Sequence, residues 1–146
     1  MSPKKIILCP NPNRDQGMKA TKAAEKILHE MGFHTVVCSP FKDQKEGAFA
    51  DCQVRSLPQE MKGADLLITF GGDGTILHLA KLAALHKIPV LGINMGSLGF
   101  IAELEAWELG ALRKLKDWDF QIEPRMMLDV TVMRDGEHIL TKDTCD

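Results

Sequence analysis

The sequence predicts an α/β domain with a mainly parallel sheet and flanking helices, followed by the first strands of a truncated β-rich domain. Three observations carry this. Up to Trp118, short apolar runs alternate with segments of helical periodicity, the pattern of successive βαβ units. Two of those runs end in glycine-rich turns, "GGDGT" at 71–75 and "NMGSLG" at 94–99. Beyond Trp118 the pattern changes to the two-residue alternation of "LDVTVM".

Taken in order, Lys5 to Cys9 reads as a buried strand and "PNPNRDQG" as a loop. From Met18 to Met31, Ala20, Ala23, Ala24, Ile27, Leu28 and Met31 follow the i, i+3, i+4, i+7 spacing of a helix with one buried face. Gly32 stands where a helix-ending glycine belongs, and Phe33 to Cys38 forms a second strand. Residues 39–56 are a polar loop with a short strand near Gln53–Ser56, and "PQEMKGA" is a helical turn. Asp65 to Phe70 is a third strong strand, and Thr75 to His86, apolar almost all round, is a buried helix. Pro89 to Ile93 is the next strand.

Leu104 to Trp118 places Leu104, Trp107, Ala111, Leu112, Leu115 and Trp118 on one helical face. Its acids (Glu103, Glu105, Glu108) lie near the start and its bases (Arg113, Lys114, Lys116) near the end, as the helix dipole favours. Phe120 to Met133 and "HILT" flank "RDG" at 134–136 as a hairpin. A lone hairpin is marginal without further strands. Residues 1–119 are therefore expected to form one domain and 120–146 the opening of a second, cut short.

Composition narrows the function. The chain has 146 residues, 45% apolar and 26% charged, with net charge −2. No basic run marks nucleic acid or an anionic membrane as a partner, and no apolar stretch approaches the length of a membrane span. Cys9, Cys38, Cys52 and Cys145 show no ligand-like spacing, and the five histidines form no HExxH pattern. These read as reduced thiols in a cytoplasmic protein, without a zinc site.

The chemistry concentrates at Gly71, Gly72, Asp73, Gly74 and Thr75. A glycine turn between strand end and helix start lets a ligand approach backbone N–H groups closely, and the helix N-terminus suits phosphate oxygens. The turn is neither a Walker A loop nor a GxGxxG fingerprint. A carboxylate repels phosphate, so Asp73 fits a role as proton acceptor for an attacking hydroxyl, or as a ligand of Mg²⁺ bridging phosphates. Helix capping or an Asx-turn explains an Asp-Gly pair equally well, and residue pattern alone leaves the two balanced.

At the second turn, Asn94 offers an amide to a ribose or base and Phe100 an aromatic wall, or simply core packing. His78, one turn into the helix after "GGDGT", is placed to donate a hydrogen bond to a ligand there. For a site that handles several phosphates, the surrounding stretch offers only Lys81 and Lys87.

"ADLLITFGGDGTILHLAK" and "VLGINMGSLGFIAEL" resemble bacterial NAD kinases, with "IEPRMMLDVTV" and "KKIILCPNP" as weaker matches. The resemblance implies ATP-dependent phosphorylation of NAD at the adenosine ribose 2′-hydroxyl, with Mg²⁺ or another divalent cation, in a homodimer or homotetramer. Asp73 matches the family's catalytic aspartate and Gly74 a ligand-binding residue. His78 falls at a nucleotide-contacting position often held by arginine, and Phe100 matches an aromatic beside the adenine. In the family an Asn-Glu or Asn-Asp motif follows shortly after the point where this sequence stops at "TKDTCD", so the resemblance implies a truncated chain whose missing part completes the site and supplies the cations. A lipid or sugar kinase of the diacylglycerol kinase and phosphofructokinase group, or a non-catalytic nucleotide-binding module, are the alternatives.

Overall fold

The computed structural model describes residues 3–40, 54–96, 101–118 and 120–122, and the backbone of 127–134 and 137–145. Its elements are β1 (Lys5–Pro10), α1 (Lys19–Glu30), β2 (His34–Cys38), β3 (Val54–Arg55), α2 (Leu57–Glu60), β4 (Leu66–Gly71), α3 (Asp73–Leu85), β5 (Val90–Asn94) and β6 (Leu104–Glu105). A 3₁₀ helix (Ala106–Asp117), β7 (Met127–Arg134) and β8 (Glu137–Cys145) follow. β1 to β6 form one parallel sheet in the order β3-β2-β1-β4-β5-β6. β7 and β8 pair antiparallel in a sheet of their own. The hairpin expected around "RDG" is present as two strands; residues 135–136 of its turn lie outside the described residues.

The central strands are continuous apolar runs because both faces of the sheet are covered. Every residue of β4 is buried. Alternate residues sort to opposite faces. Ile6, Leu8, Leu66, Ile68 and Phe70 pack with α1 (Ala20, Ala24, Leu28) and with Leu112 and Leu115 of the 3₁₀ helix. Ile7, Cys9 and Leu67 pack with Leu57, Met61, Leu79 and Ala83 of the α2–α3 side. Strand connections that cross over are right-handed. The β1–α1–β2 unit therefore grows toward one edge with its helix on one face. The β4–α3–β5 unit grows toward the other edge with its helix on the opposite face. The reversal falls between β1 and β4.

Two expectations need correction. α3 begins at Asp73, and it is not buried all round: Leu77 is 43% exposed and Leu85 71%. The helix buries Thr75, Ile76, Leu79 and Ala83 against the sheet, with Leu82 partly buried beside them. The segment read as a helix over Leu104–Trp118 opens instead as the short strand β6 and continues as a 3₁₀ helix. Its inward residues, Leu109, Leu112, Leu115 and Trp118, recur every three positions, which is the 3₁₀ period. Trp107, which a 3.6-residue period would turn inward, is 83% exposed. Glu108 accepts the Glu105 N–H at 3.0 Å and fixes the start.

The β1–α1 loop is held from inside. Asp15, 1% exposed, accepts hydrogen bonds from Ala20 N–H (2.9 Å), Thr21 N–H (2.9 Å) and the Thr21 hydroxyl (2.6 Å). This carboxylate anchors the first turn of α1, which the left-handed residues Gly17 (φ 66°) and Met18 (φ 60°) lead into.

Cys9 and Cys38 are free and buried, on neighbouring strands one step beyond the Leu8–Val37 pair. Burial, then the neighbouring Cys38 thiol, pushes Cys9 well up. Burial, then the Glu60 carboxylate, pushes Cys38 up to about 12, against the opposing pull of Lys5 and Arg55. The thiolate is the reactive form. Both residues are therefore expected to resist iodoacetamide at pH 8 in the folded protein and to react fully in guanidinium. Peptide mapping of native-state alkylation at either residue would contradict this.

Candidate functional site

The site grows from the end of β4. Gly71 pairs with Asn94 in the β4–β5 ladder, and its carbonyl accepts the Met95 N–H at 2.7 Å. On the other side, the Phe70 carbonyl accepts the Asn11 N–H at 2.8 Å. The loops after β1, β4 and β5 thus meet at one sheet edge, with the β4 turn in the middle.

Two glycines here are required by close approach. A Cβ on Gly71 would lie 2.5 Å from Thr75 Oγ1 and 3.3 Å from Asn11 Cβ. A Cβ on Gly92 would press on Ile76 and sit 3.2 Å from the Ala102 backbone. A Cβ on Gly72 or Gly74 would meet nothing within 4 Å, so these two border open space. Thr75 is β-branched and 4% exposed, so it cannot swing aside for Gly71→Ala. That variant is expected to lose about 1–3 kcal/mol to overpacking, read by urea unfolding. Thr75→Ala in the same chain is expected to return part of the loss, a coupling a double-mutant cycle measures.

Asp73 is the first residue of α3, one past the N-cap Gly72. Its Oδ1 accepts the N–H groups of Ile101 (3.1 Å) and Ala102 (3.4 Å), from beyond the second glycine turn. The side chain therefore bridges the segments that follow β4 and β5. These bonds hold one carboxylate oxygen from outside its own helix.

The other anticipated residues fall as follows. Gly74 and His78 are both exposed and four residues apart, hence on one face of α3. Thr75 is turned inward against the strand end. Asn94, at the end of β5, is 3% exposed, and its Nδ2 donates to Glu105 Oε2 at 3.0 Å. Its amide thus ties β5 to β6. Phe100 lies outside the described residues.

Lys81 and Lys87 are not gathered at the turn: Lys81 is eight residues down α3 from Asp73 and Lys87 lies past its far end. At 1.5 Å per residue that is roughly 12 Å and more from the turn. The cation on the adjoining loop is Arg14, which is exposed. Sequence order hid it, since only the β1–β4 pairing brings the loop that carries it against residue 71.

A cavity of about 860 Å³ runs between α3, β5 and residues 120–122, lined by Ile76, Ala80, Ala83, Val90, Leu91 and their neighbours. It adjoins the turns at Gly92 and Ile101 but does not include Asp73. Its lining is mainly apolar, with Glu103 and Gln121 as its charged and polar side chains.

The sheet is doubly wound, with a carboxylate at the turn beside its strand reversal, the edge at which open α/β sheets bind ligands. Comparison with known proteins gives the family. Residues 6–115 match the family model for the ATP-NAD kinase N-terminal domain. The chain belongs to the NAD kinase family. It is 39% identical over 140 residues to an NAD kinase of Natranaerobius thermophilus, covering 93% of this chain and 47% of that protein. With an NAD kinase of Caldanaerobacter subterraneus subsp. tengcongensis it shares 33% over 142 residues, covering 94% and 48%. The chain thus spans about half the length of these relatives. Among solved structures, a crystal structure of yeast NADH kinase complexed with NADH superposes with a TM-score of 0.63. Identity there is 20%, and 99% of this chain and 47% of that one are covered, a likeness of fold.

Proposed function

We propose that the protein carrying this chain phosphorylates NAD to NADP at the adenosine ribose 2′-hydroxyl, with ATP as donor. The observation that carries the reading is Asp73: a carboxylate between two glycine turns, oriented by backbone N–H groups from beyond the second. In the proposed step the ribose hydroxyl oxygen attacks the γ-phosphorus of ATP. The new O–P bond forms as the bond from that phosphorus to the bridging oxygen breaks, and the electron pair leaves with ADP. Asp73 takes the hydroxyl proton. Little else is asked of covalent chemistry, so positioning and charge neutralisation supply most of the rate.

NAD is placed across the turns after β4 and β5, with Gly71, Gly72, Gly74 and Thr75 shaping the first turn and His78 beside Gly74 contacting the nucleotide. Asn94 holds the second turn through Glu105, and Phe100 is assigned to the adenine from the family resemblance. Mg²⁺ or a similar cation would neutralise charge on the donor phosphates when bound. Among the described residues no group of three His, Cys, Asp or Glu side chains is placed to hold a metal. Mg²⁺ is usually carried by substrate phosphates and one or two carboxylates. No helix among the described residues is long and apolar enough to cross a membrane. The family resemblance alone supports a cytoplasmic homo-oligomer, dimer or tetramer, and the strand pattern from residue 120 onward supports the opening of a second, β-rich domain.

The test is a substrate panel on the natural-length protein: NAD, diacylglycerol and fructose 6-phosphate, each with ATP. Formation of NADP alone is the expected result. Phosphorylation of either other acceptor with none of NAD would overturn the reading.

A further inference from the structure

The sheet order places the β1 loop and the β5 turn on opposite sides of the β4 turn. Asp73 leans toward the β5 side, where its Oδ1 meets Ile101 and Ala102. If the acceptor ribose lies there, an in-line transfer needs the donor on the other side, toward β1. That side is the strand reversal, the crevice in which open α/β sheets bind ligands.

The loop that walls this crevice is fixed. Asn11 N–H is bonded to Phe70 O, and Asn11 Cβ would lie 3.3 Å from a Cβ at Gly71. The Asn11 carbonyl then accepts both Arg14 N–H (3.0 Å) and Asp15 N–H (2.9 Å), curling the loop back over its own start. Asp15 is buried beneath α1. Arg14 is an exposed residue of this pinned loop, whose Asn11 meets the glycine turn, while Lys81 lies eight residues beyond Asp73 and Lys87 past the end of α3.

We propose that Arg14 binds the phosphate chain of the phosphoryl donor in the crevice between the β1 and β4 loops, on the side of Asp73 opposite the second glycine turn. The proposal rests on the NAD kinase reading and adds to it a donor-binding residue and a side. A guanidinium offers two parallel N–H groups to phosphate oxygens and keeps its charge at any working pH. An ammonium in its place would keep the charge and lose the fork.

The test uses the natural-length protein, with ATP varied at saturating NAD and the reverse. Arg14→Gln is expected to raise the KM for ATP about tenfold to a hundredfold, the usual worth of a hydrogen bond to a charged group. The KM for NAD should stay within about twofold of wild type by the same reasoning, because the loop lies on the donor side. Arg14→Lys should recover part of the loss. An unchanged KM for ATP in Arg14→Gln overturns the proposal, as does a rise confined to NAD or shared equally by both substrates. If wild type forms no NADP, the NAD kinase reading falls by itself, and Arg14 is then judged by calorimetric titration with inorganic tripolyphosphate. Binding by wild type that is lost in Arg14→Gln upholds the phosphate site; equal binding, or none by wild type, refutes it.

Discussion

Asp73→Asn in the natural-length protein should lower NADP formation by about 10²–10⁴-fold, the usual cost of removing a general base, while leaving the fold intact. The reason for choosing asparagine is geometric. Its Oδ1 can still accept the N–H groups of Ile101 and Ala102, so the tie between the two segments survives and the proton acceptor does not. Asp73→Ala removes both. It should show the same loss of turnover together with a lower melting temperature, because two backbone donors lose their partner. A full-length Asp73→Asn protein that makes NADP at the wild-type rate would remove Asp73 from the reaction. A drop in turnover matched by unfolding of the asparagine variant would reduce its role to architecture.

Asp15→Ala is expected to be the most destabilising single truncation at the ligand edge, at about 3 kcal/mol or more. It strands the N–H groups of Ala20 and Thr21 and the Thr21 hydroxyl in a site that is 1% exposed, and each stranded buried donor costs about 1–3 kcal/mol. For a chain of this size the melting temperature should fall by about 6–12 °C. Thr21→Ala, which deletes only the hydroxyl, should cost about 1 kcal/mol. If Asp15→Ala melts with the parent, the loop is not held as described, and the placement of Arg14 loses its support along with it.

Much of the sheet was legible because its signals are local. Lys5–Cys9 and Asp65–Phe70 are apolar runs bounded by polar or glycine residues, and both are central strands. Met18–Met31 has an unambiguous helical period, and α1 occupies Lys19–Glu30. The errors arise where a local pattern admits two periods. Leu109, Leu112, Leu115 and Trp118 recur every three residues, but Ala111 and Trp107 completed a tempting 3.6-residue face, and the 3₁₀ geometry won. For α3, composition predicted burial on every side. A helix lying on one sheet face covers only one stripe of itself, and Leu77 and Leu85 stay outside.

The site was legible in its first half. A carboxylate in a glycine turn at a strand end reads from the residues alone. Its choice of partner does not, since Asp73 reaches residues 28 and 29 positions away. Arg14 was missed for the same reason. It stands 57 or more positions from the glycines that its loop meets, and only the parallel pairing of β1 with β4 closes that distance.

The last two carbonyls of β4 are bonded outward in opposite directions, Phe70 to Asn11 and Gly71 to Met95. The strand end is thereby stitched to the loops on both flanks. Ordering flexible loops is one of the main entropic charges against ligand capture. Here part of that ordering is completed when the sheet itself forms. This edge is preorganised by folding, so the nucleotide of the proposed function would meet a central turn already set in place.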